Sequence, residues 1–108
     1  MRYPVLLTPG ADQDLTEIYN YIAGADSAAS ANYLLDCLME AAQSLSALPQ
    51  RGSYPRELLA LGNREFRQVF FKPYRLIYRV AEKQVEIFVI ADGRRDMQAL
   101  LARRLLNG

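Results

Sequence analysis

The sequence predicts an α+β fold in which a helical hairpin packs on a small, mainly antiparallel sheet and a further helix follows at the C-terminus. Three observations predict it. Apolar residues recur at helical spacing through the first half, strand-like segments joined by short turns fill the second, and helical spacing returns near the end. The predicted element order is β-α-α-β-β-β-α. At 108 residues, with no repeat or linker-like stretch, we expect one domain spanning residues 1–108.

The first half begins with a strand and continues as two helices. An apolar run over residues 3–8 predicts the strand, and Pro4 suits a strand edge or first residue. Thr8 and Pro9 open the first helix, as its N-cap and its first helical residue. A second helix is predicted from residue 26 or 27 to a stop at Pro49. Because only about three residues join them, the helices form an antiparallel hairpin.

The second half carries the sheet. Residues 49–62 form the longest irregular stretch and lead to three predicted strands at 66–71, 74–80 and 85–91. The turns at 72–73 and 81–84 are short enough to make these strands an antiparallel meander. In the middle strand Arg75, Ile77 and Arg79 lie on one face, which therefore presents two arginines. A final helix is predicted from about Asp96 to Leu106.

Charge is divided unevenly along the chain. Residues 1–50 carry one basic and six acidic side chains, whereas residues 51–108 carry twelve basic and six acidic ones. The net charges of the two halves are therefore −5 and +6. This asymmetry predicts an electropositive surface that meets a polyanion or an acidic partner.

The residue types that the chain lacks limit its chemistry. It has no histidine, and Cys37 is its one cysteine. Histidine-dependent catalysis, an intrachain disulfide and a cysteine-rich zinc site are therefore excluded, and we expect no metal and no cofactor. No apolar run reaches the roughly 18 residues of a membrane span, so we expect no membrane association and a cytoplasmic location.

Several segments in order resemble the RelE/ParE superfamily of bacterial toxins. They are ADQDL at 11–15, PYRLIYRV at 73–80, VEIFVI at 85–90 and GRRD at 93–96. The resemblance implies the toxin of a type II toxin-antitoxin module for plasmid stabilisation, neutralised by a cognate antitoxin that is ParD-like or similar. Two activities occur in this superfamily. RelE-like members cleave messenger RNA on the ribosome, whereas ParE-like members inhibit DNA gyrase by binding it.

The residues at the positions of the RelE catalytic residues help to choose between mRNA cleavage and gyrase inhibition. It aligns Arg75 and Arg95 with two RelE arginines and Arg67 with one RelE strand lysine, so these three are the catalytic candidates of an mRNA endonuclease. Leu101, however, stands where RelE-like proteins carry a tyrosine, and no histidine can replace it. The resemblance is therefore closer to ParE, a gyrase inhibitor for which no catalytic residue is expected. A ribosome-dependent endoribonuclease is the alternative, and a non-toxic plasmid-maintenance or nucleic-acid-binding module is a third hypothesis.

Partner binding involves two sets of candidate residues. The first consists of arginines on and after the predicted sheet, namely Arg75, Arg79, Arg94 and Arg95; the second lies on the hairpin and consists of Tyr19, Tyr33 and Leu34. Arginines can hold the carboxylates or phosphates of a partner, or they can pair internally with Glu65, Glu86, Asp92 or Asp96. We expect an antitoxin segment to dock on the hairpin set and to reach the arginine-bearing sheet.

Overall fold

The computed structural model describes residues 2–106 of the chain. Its elements in chain order are β1 (Val5–Leu7), α1 (Pro9–Ala25), α2 (Ala28–Gln43), α3 (Arg56–Leu59), β2 (Arg67–Phe71), β3 (Tyr74–Ala81), β4 (Gln84–Asp92) and α4 (Met97–Leu101), followed by a π-helical turn (Ala102–Leu106). The predicted α+β class and element order are confirmed. The single turn α3, inside the stretch predicted to be irregular, is an addition.

The four strands form one sheet in the order β1-β4-β3-β2. Strands β2, β3 and β4 are the predicted antiparallel meander, and the short strand β1 pairs parallel to β4 at one edge. Glu82 and Lys83 join β3 to β4 with φ angles of 53° and 62°. Two residues in this left-handed region match the twist of the strands that they connect.

Both faces of the sheet are covered by helices. The hairpin of α1 and α2 packs on one face and buries Leu15, Leu38, Leu76, Tyr78 and Ile87, among others. The other face is covered by α3 and α4, in a second core that includes Leu58, Ile77, Val89, Leu100 and Leu101. The alternation along β3 supplies both cores, because neighbouring strand residues point to opposite faces.

A bulge in β4 changes this alternation. Ile77 pairs with Val89 and Tyr78 pairs with Ile87, so Phe88 is the extra residue on β4. The consecutive residues Phe88 and Val89 consequently both face the second core, where the ring of Phe88 meets the ring of Phe66 edge to face with centroids 5.3 Å apart. Bulges of this kind redirect side chains next to the point of disruption.

The helix starts agree with the predictions better than the helix ends. Thr8 caps α1, since its hydroxyl accepts the N–H of Ala11 at 3.2 Å. The prediction that the second helix runs to Pro49 is wrong, because α2 ends at Gln43. Beyond that residue the chain continues in tighter turns, and Ser46 is held by the backbone of Tyr3 through two hydrogen bonds of 2.8 and 2.9 Å.

The predicted C-terminal helix is likewise shorter than expected. The α-helical part ends at Leu101, and residues 102–106 form the wider π-helical turn. Arg104 in this turn donates to Asp14 and to the carbonyl of Phe88, and these contacts hold the turn against α1 and β4. Within residues 2–106, no helix has both the length and the hydropathy needed to cross a lipid bilayer.

Candidate functional site

Arg75 is the most buried charged residue of the arginine-bearing face. Its guanidinium donates to both carboxylate oxygens of Glu57, at 2.8 Å each, and twice to the side-chain oxygen of Gln68, at 2.6 and 2.9 Å. The Arg75 and Glu57 side chains are only 11% and 15% exposed. The hydrogen bonds from Arg75 lower the pKa of Glu57 although burial opposes this shift. The charge of Arg75 is therefore neutralised inside the protein.

Local sequence features make this pair possible. Pro55 precedes α3 and is its N-cap residue, and the single turn places Glu57 above the sheet. Gly93, just after β4, leaves space for the arginine stem, since a Cβ at this position would lie 2.8 Å from Cδ of Arg75. The backbone N–H of Gly93 also donates to the carbonyl of Pro73 at 2.7 Å.

Arg79 lies farther along the same face and is also paired internally. It donates to Glu65 at 2.7 Å and to Glu86 at 2.9 Å, and its guanidinium lies 4.9 Å from the ring centroid of Phe88. These acids are two of the internal partners that the sequence offers for the arginines. The hydrogen bond from Arg79 lowers the pKa of Glu86.

Arg94 and Arg95 follow the end of β4 and are both exposed. Arg94 pairs with Asp92 at 2.6 Å, and this hydrogen bond lowers the pKa of the carboxyl group. For Arg95, no side-chain hydrogen bond or ion pair is formed with any residue between 2 and 106. These two arginines are thus the most accessible of the four.

A basic hollow of about 480 Å³ lies on the arginine-bearing face at the end of the β2–β3 hairpin. It is lined by Tyr54, Arg56, Gln68, Phe70, Lys72, Pro73, Arg75, Gly93 and Arg94. Four of the nine lining residues are cationic and none is acidic. The hollow is therefore electropositive at its opening.

A second hollow of about 430 Å³ separates α1 from the end of β4. Its lining is mixed and consists of Asp14, Glu17, Ile18, Tyr21, Ile22, Tyr74, Ile90, Ala91, Asp92, Arg94 and Arg95. Tyr21 is 73% exposed. Arg94 contributes to both hollows and so joins the basic hollow to the hairpin side of the molecule.

The three catalytic candidates of the endonuclease alternative are not brought together. The β2–β3 register pairs Arg67 with Tyr78 and Phe70 with Arg75, which places Arg67 on the hairpin face and Arg75 on the opposite face. The Arg67 guanidinium is used locally, donating to the carbonyl of Gly52 at 2.9 Å and to the hydroxyl of Tyr54 at 3.0 Å. Arg95 lines the hollow beside α1 and is not part of the basic hollow that Arg75 lines.

The hairpin candidates lie on a different side of the molecule from Arg75 and Arg79. Tyr33 on α2 is 69% exposed, Tyr19 on α1 is half-buried beside a smaller hollow, and Leu34 packs partly buried against the first core. Because the sheet separates this surface from the arginine-bearing face, a single partner that contacts both must pass around an edge of the sheet.

Sequence reasoning missed one tertiary contact of the C-terminal segment. Beyond Ile87, where the pairing with β1 ends, Asp14 accepts the backbone N–H of Ile90 at 2.9 Å, and Arg104 donates to Asp14 at 2.9 and 3.0 Å. In the sequence Asp14 is one of two acids near the start of a helix, which indicates only a favourable position in the helix dipole. Nothing in the spacing connects it to a residue 90 positions away.

The described residues do not form a metal centre: between residues 2 and 106, no group of three or more histidine, cysteine, aspartate or glutamate side chains could hold a metal ion. The lining of the basic hollow supplies cations, aromatic side chains and the amide of Gln68. Such a surface can bind a partner through hydrogen bonds, ion pairs and apolar contact.

Comparison with known proteins gives a family and a fold. Residues 5–97 match the family described as ParE toxin of type II toxin-antitoxin system, parDE. A solved structure titled as the chromosomal ParDE toxin-antitoxin system from P. aeruginosa superposes with a TM-score of 0.73 at 18% identity, covering 84% of this chain and 96% of that one. A chain of the toxin-antitoxin complex RelBE2 from Mycobacterium tuberculosis superposes with a TM-score of 0.57 at 23% identity, covering 85% and 92%. No curated protein sequence is significantly similar to this chain.

Proposed function

The chain belongs to the ParE toxin family of type II toxin-antitoxin systems, and from this premise we propose that it inhibits DNA gyrase by binding it and is neutralised by a ParD-like antitoxin. In this proposal the protein acts in the cytoplasm, stabilises a plasmid or other replicon that carries the module, and performs no catalysis. The proposed target-contact residues are the accessible arginines Arg94 and Arg95, whereas Arg75 and Arg79 are paired with acids of the protein itself.

The engagement of Arg75 is the observation that carries the proposal for binding over cleavage. A guanidinium that must stabilise the charge of a cleaved phosphate has to be available to it, but Arg75 is held by Glu57 and Gln68. Leu101, at the position of the RelE tyrosine, is fully buried in the second core. Neither residue supports a proton-transfer step.

Gyrase inhibition is tested with purified gyrase, relaxed plasmid and ATP. We expect supercoiling to stop when the wild-type protein is added and to return when a ParD-like antitoxin is added. The double variant Arg94→Glu and Arg95→Glu should lose most of the inhibition, whereas Arg64→Glu, a charge reversal at an exposed position outside both hollows, should keep it. Full gyrase activity at a large molar excess of wild-type protein would refute the proposal.

For the antitoxin, we propose the exposed surface of the hairpin around Tyr19, Tyr33 and Leu34. Hydrogen exchange of the toxin with and without antitoxin measures the contact directly. We expect slower exchange over residues 11–48, and in particular in the α2 segment that carries Tyr33. Unchanged exchange over these residues would contradict this placement.

A ribosome-dependent mRNA endonuclease is the second candidate function. The cations of the basic hollow favour it, because phosphates bind such surfaces. Primer extension on ribosome-bound transcripts discriminates between the two functions. Cleavage within codons that disappears with Arg75→Ala would establish the endonuclease in place of gyrase inhibition, and intact transcripts would eliminate it.

A further inference from the structure

Strand β1 forms the edge of the sheet opposite β2. On its inner side it pairs parallel to β4, where Val85 donates its N–H to the carbonyl of Pro4 at 2.8 Å and Thr8 donates its N–H to the carbonyl of Ile87 at 3.0 Å. Alternate residues of a strand direct their N–H and C=O groups to the same side. The backbone groups of the even-numbered residues in this segment therefore face β4.

The odd-numbered residues of β1 direct their backbone groups away from the sheet. At Tyr3 this outer side is closed, because the Ser46 carbonyl accepts the N–H of Tyr3 at 2.9 Å and the Ser46 hydroxyl donates to its carbonyl at 2.8 Å. At Val5 and Leu7 it is open, since no group within residues 2–106 forms a hydrogen bond with the outward backbone of either residue. Two N–H and two C=O groups are thus available at this edge.

The β1 edge carries neither of the usual protections against strand pairing. Natural edge strands are commonly protected by charged side chains or by proline, but residues 3–11 contain no charged residue. Pro4 lacks its N–H on the side of β4, so it removes no donor from the outer edge. Glu86, which lies opposite Leu6 in the β1–β4 register, has its charge neutralised by Arg79. The edge is therefore open and electrically neutral.

Leu6 makes the same edge apolar. The side chains of Val5 and Leu7 pack against the first core, so the side chain of Leu6 between them points to the opposite face of the sheet. There it is 46% exposed. An exposed leucine in an unprotected edge strand is suited to burial against another strand.

We propose that β1 pairs antiparallel with β1 of a second copy of the chain, about a two-fold axis at Leu6. In this register Val5 of each copy lies opposite Leu7 of the other, and each such pair exchanges two N–H···O=C hydrogen bonds. All the outward groups of both residues are then satisfied. The two Leu6 residues form the central non-hydrogen-bonded pair, with Cα atoms about 4.5 Å apart, and their side chains cover each other. The two sheets become one continuous sheet.

A second copy fits this edge better than a charged partner does. A two-fold interface needs a surface that is complementary to itself, and a neutral strand with one exposed apolar side chain at its centre meets this condition. The open length also suits it, because Ser46 closes the edge at Tyr3 and α1 begins at Pro9. So short a ladder buries less than the roughly 1,200–2,000 Å² of a stable interface, and we expect a weak dimer with a Kd of about 10 μM or higher.

Sedimentation equilibrium of the full-length protein over a range of concentrations measures this dimer. We expect reversible dimerisation, together with slower exchange of the Val5 and Leu7 amide hydrogens at high protein concentration. Leu6→Lys places two like charges on the two-fold axis and should weaken the dimer about tenfold or more. Leu61→Lys, at another exposed leucine that follows α3, is the matched control and should leave the affinity within about twofold. Circular dichroism verifies that both variants are folded.

Disulfide formation tests the register. In a Cys37→Ser background, Leu6→Cys should form an intermolecular disulfide under mild oxidation, because a Cα separation of about 4.5 Å lies within the disulfide range, whereas Leu61→Cys should remain reduced. A protein that stays monomeric at every concentration would overturn the proposal, as would a dimer that Leu6→Lys leaves intact or equal cross-linking of the two cysteine variants. Protection of the β1 amides only after a different protein is added would also overturn it. Neither measurement uses gyrase or an antitoxin, so its outcome is separate from that of the proposed function.

Discussion

Breaking the buried ion pair between Arg75 and Glu57 should destabilise the protein. Substituting Glu57→Gln keeps the size of the side chain and one hydrogen-bond acceptor but removes the negative charge. The Arg75 guanidinium then remains in a site where its side chain is 11% exposed, facing neutral acceptors alone.

The expected cost follows from burial and geometry. Removing one partner of a buried ion pair costs about 3–5 kcal/mol, because the other charge stays buried without compensation. Since glutamine retains a neutral acceptor, we expect the free energy of unfolding to fall by about 2–3 kcal/mol. For a domain of this size each kcal/mol lowers Tm by roughly 4–8 °C, so Tm should fall by about 10 °C or more.

Urea unfolding followed by circular dichroism measures this difference. The matched control is Glu65→Gln, which breaks the ion pair of Arg79 at a carboxylate that is 51% exposed and should cost less than about 1 kcal/mol. Equal losses for the two variants would show that burial of the Arg75–Glu57 pair contributes nothing to stability. The variant Glu57→Leu leaves Arg75 unpaired, and the double variant Glu57→Leu with Arg75→Leu removes that cation as well. A higher stability of the double variant than of Glu57→Leu alone would confirm that the unpaired cation causes the loss of stability.

Three further predictions use the same unfolding assay. Gly52→Ala should lower the free energy of unfolding by about 1–3 kcal/mol, because the added Cβ would lie 2.5 Å from the buried Tyr78 hydroxyl. Gly24→Ala, in α1, should instead raise it by up to about 1 kcal/mol, because no atom lies within 4 Å of that Cβ. A change of the same sign in both variants would contradict the packing argument. Asp14→Asn should lower the free energy of unfolding by about 1–3 kcal/mol, because it weakens the hydrogen bonds from Arg104. Asp12→Asn, at an exposed position, should lower it by less than half as much. Equal losses would mean that the contact between Asp14 and Arg104 is dispensable. Acidification should destabilise the wild-type protein more than the Glu57→Gln variant. Because Arg75 lowers the pKa of Glu57 in the folded protein, the ionised carboxylate contributes stability above about pH 5, and this stability is lost as pH falls through the folded pKa. Parallel pH profiles of stability for the two proteins would exclude this contribution.

The candidate site could be predicted only in part. Alternation in the sequence placed Arg75 and Arg79 on one face, and the structure agrees. The partner Glu57 was not predicted, because it lies on a helical turn within a stretch that carries no periodic pattern. Arg67 was grouped with Arg75 by resemblance, and the strand register separates them.

The element order follows from the sequence for a physical reason: apolar period, caps and turn residues act over three or four neighbours, and all of them lie in the chain itself. Helix ends depended on more distant contacts. The spacing of Leu45 and Leu48 predicts that the second helix continues to Pro49. The α-helix ends earlier, where Ser46 is held by Tyr3, and this contact forms only when β1 is in place.

The fold class, the order of elements and the charge difference between the two halves can thus be predicted from the sequence alone. Which of those charges are available to a partner depends on how the chain folds. Arg75 and Arg79 are neutralised by acids 18 and 14 residues away, while Arg56 and Lys72 remain exposed around the basic hollow. The reason is that an ion pair forms only between side chains that the fold brings within about 3 Å of each other. The number of charges along a chain does not predict which side chains come that close.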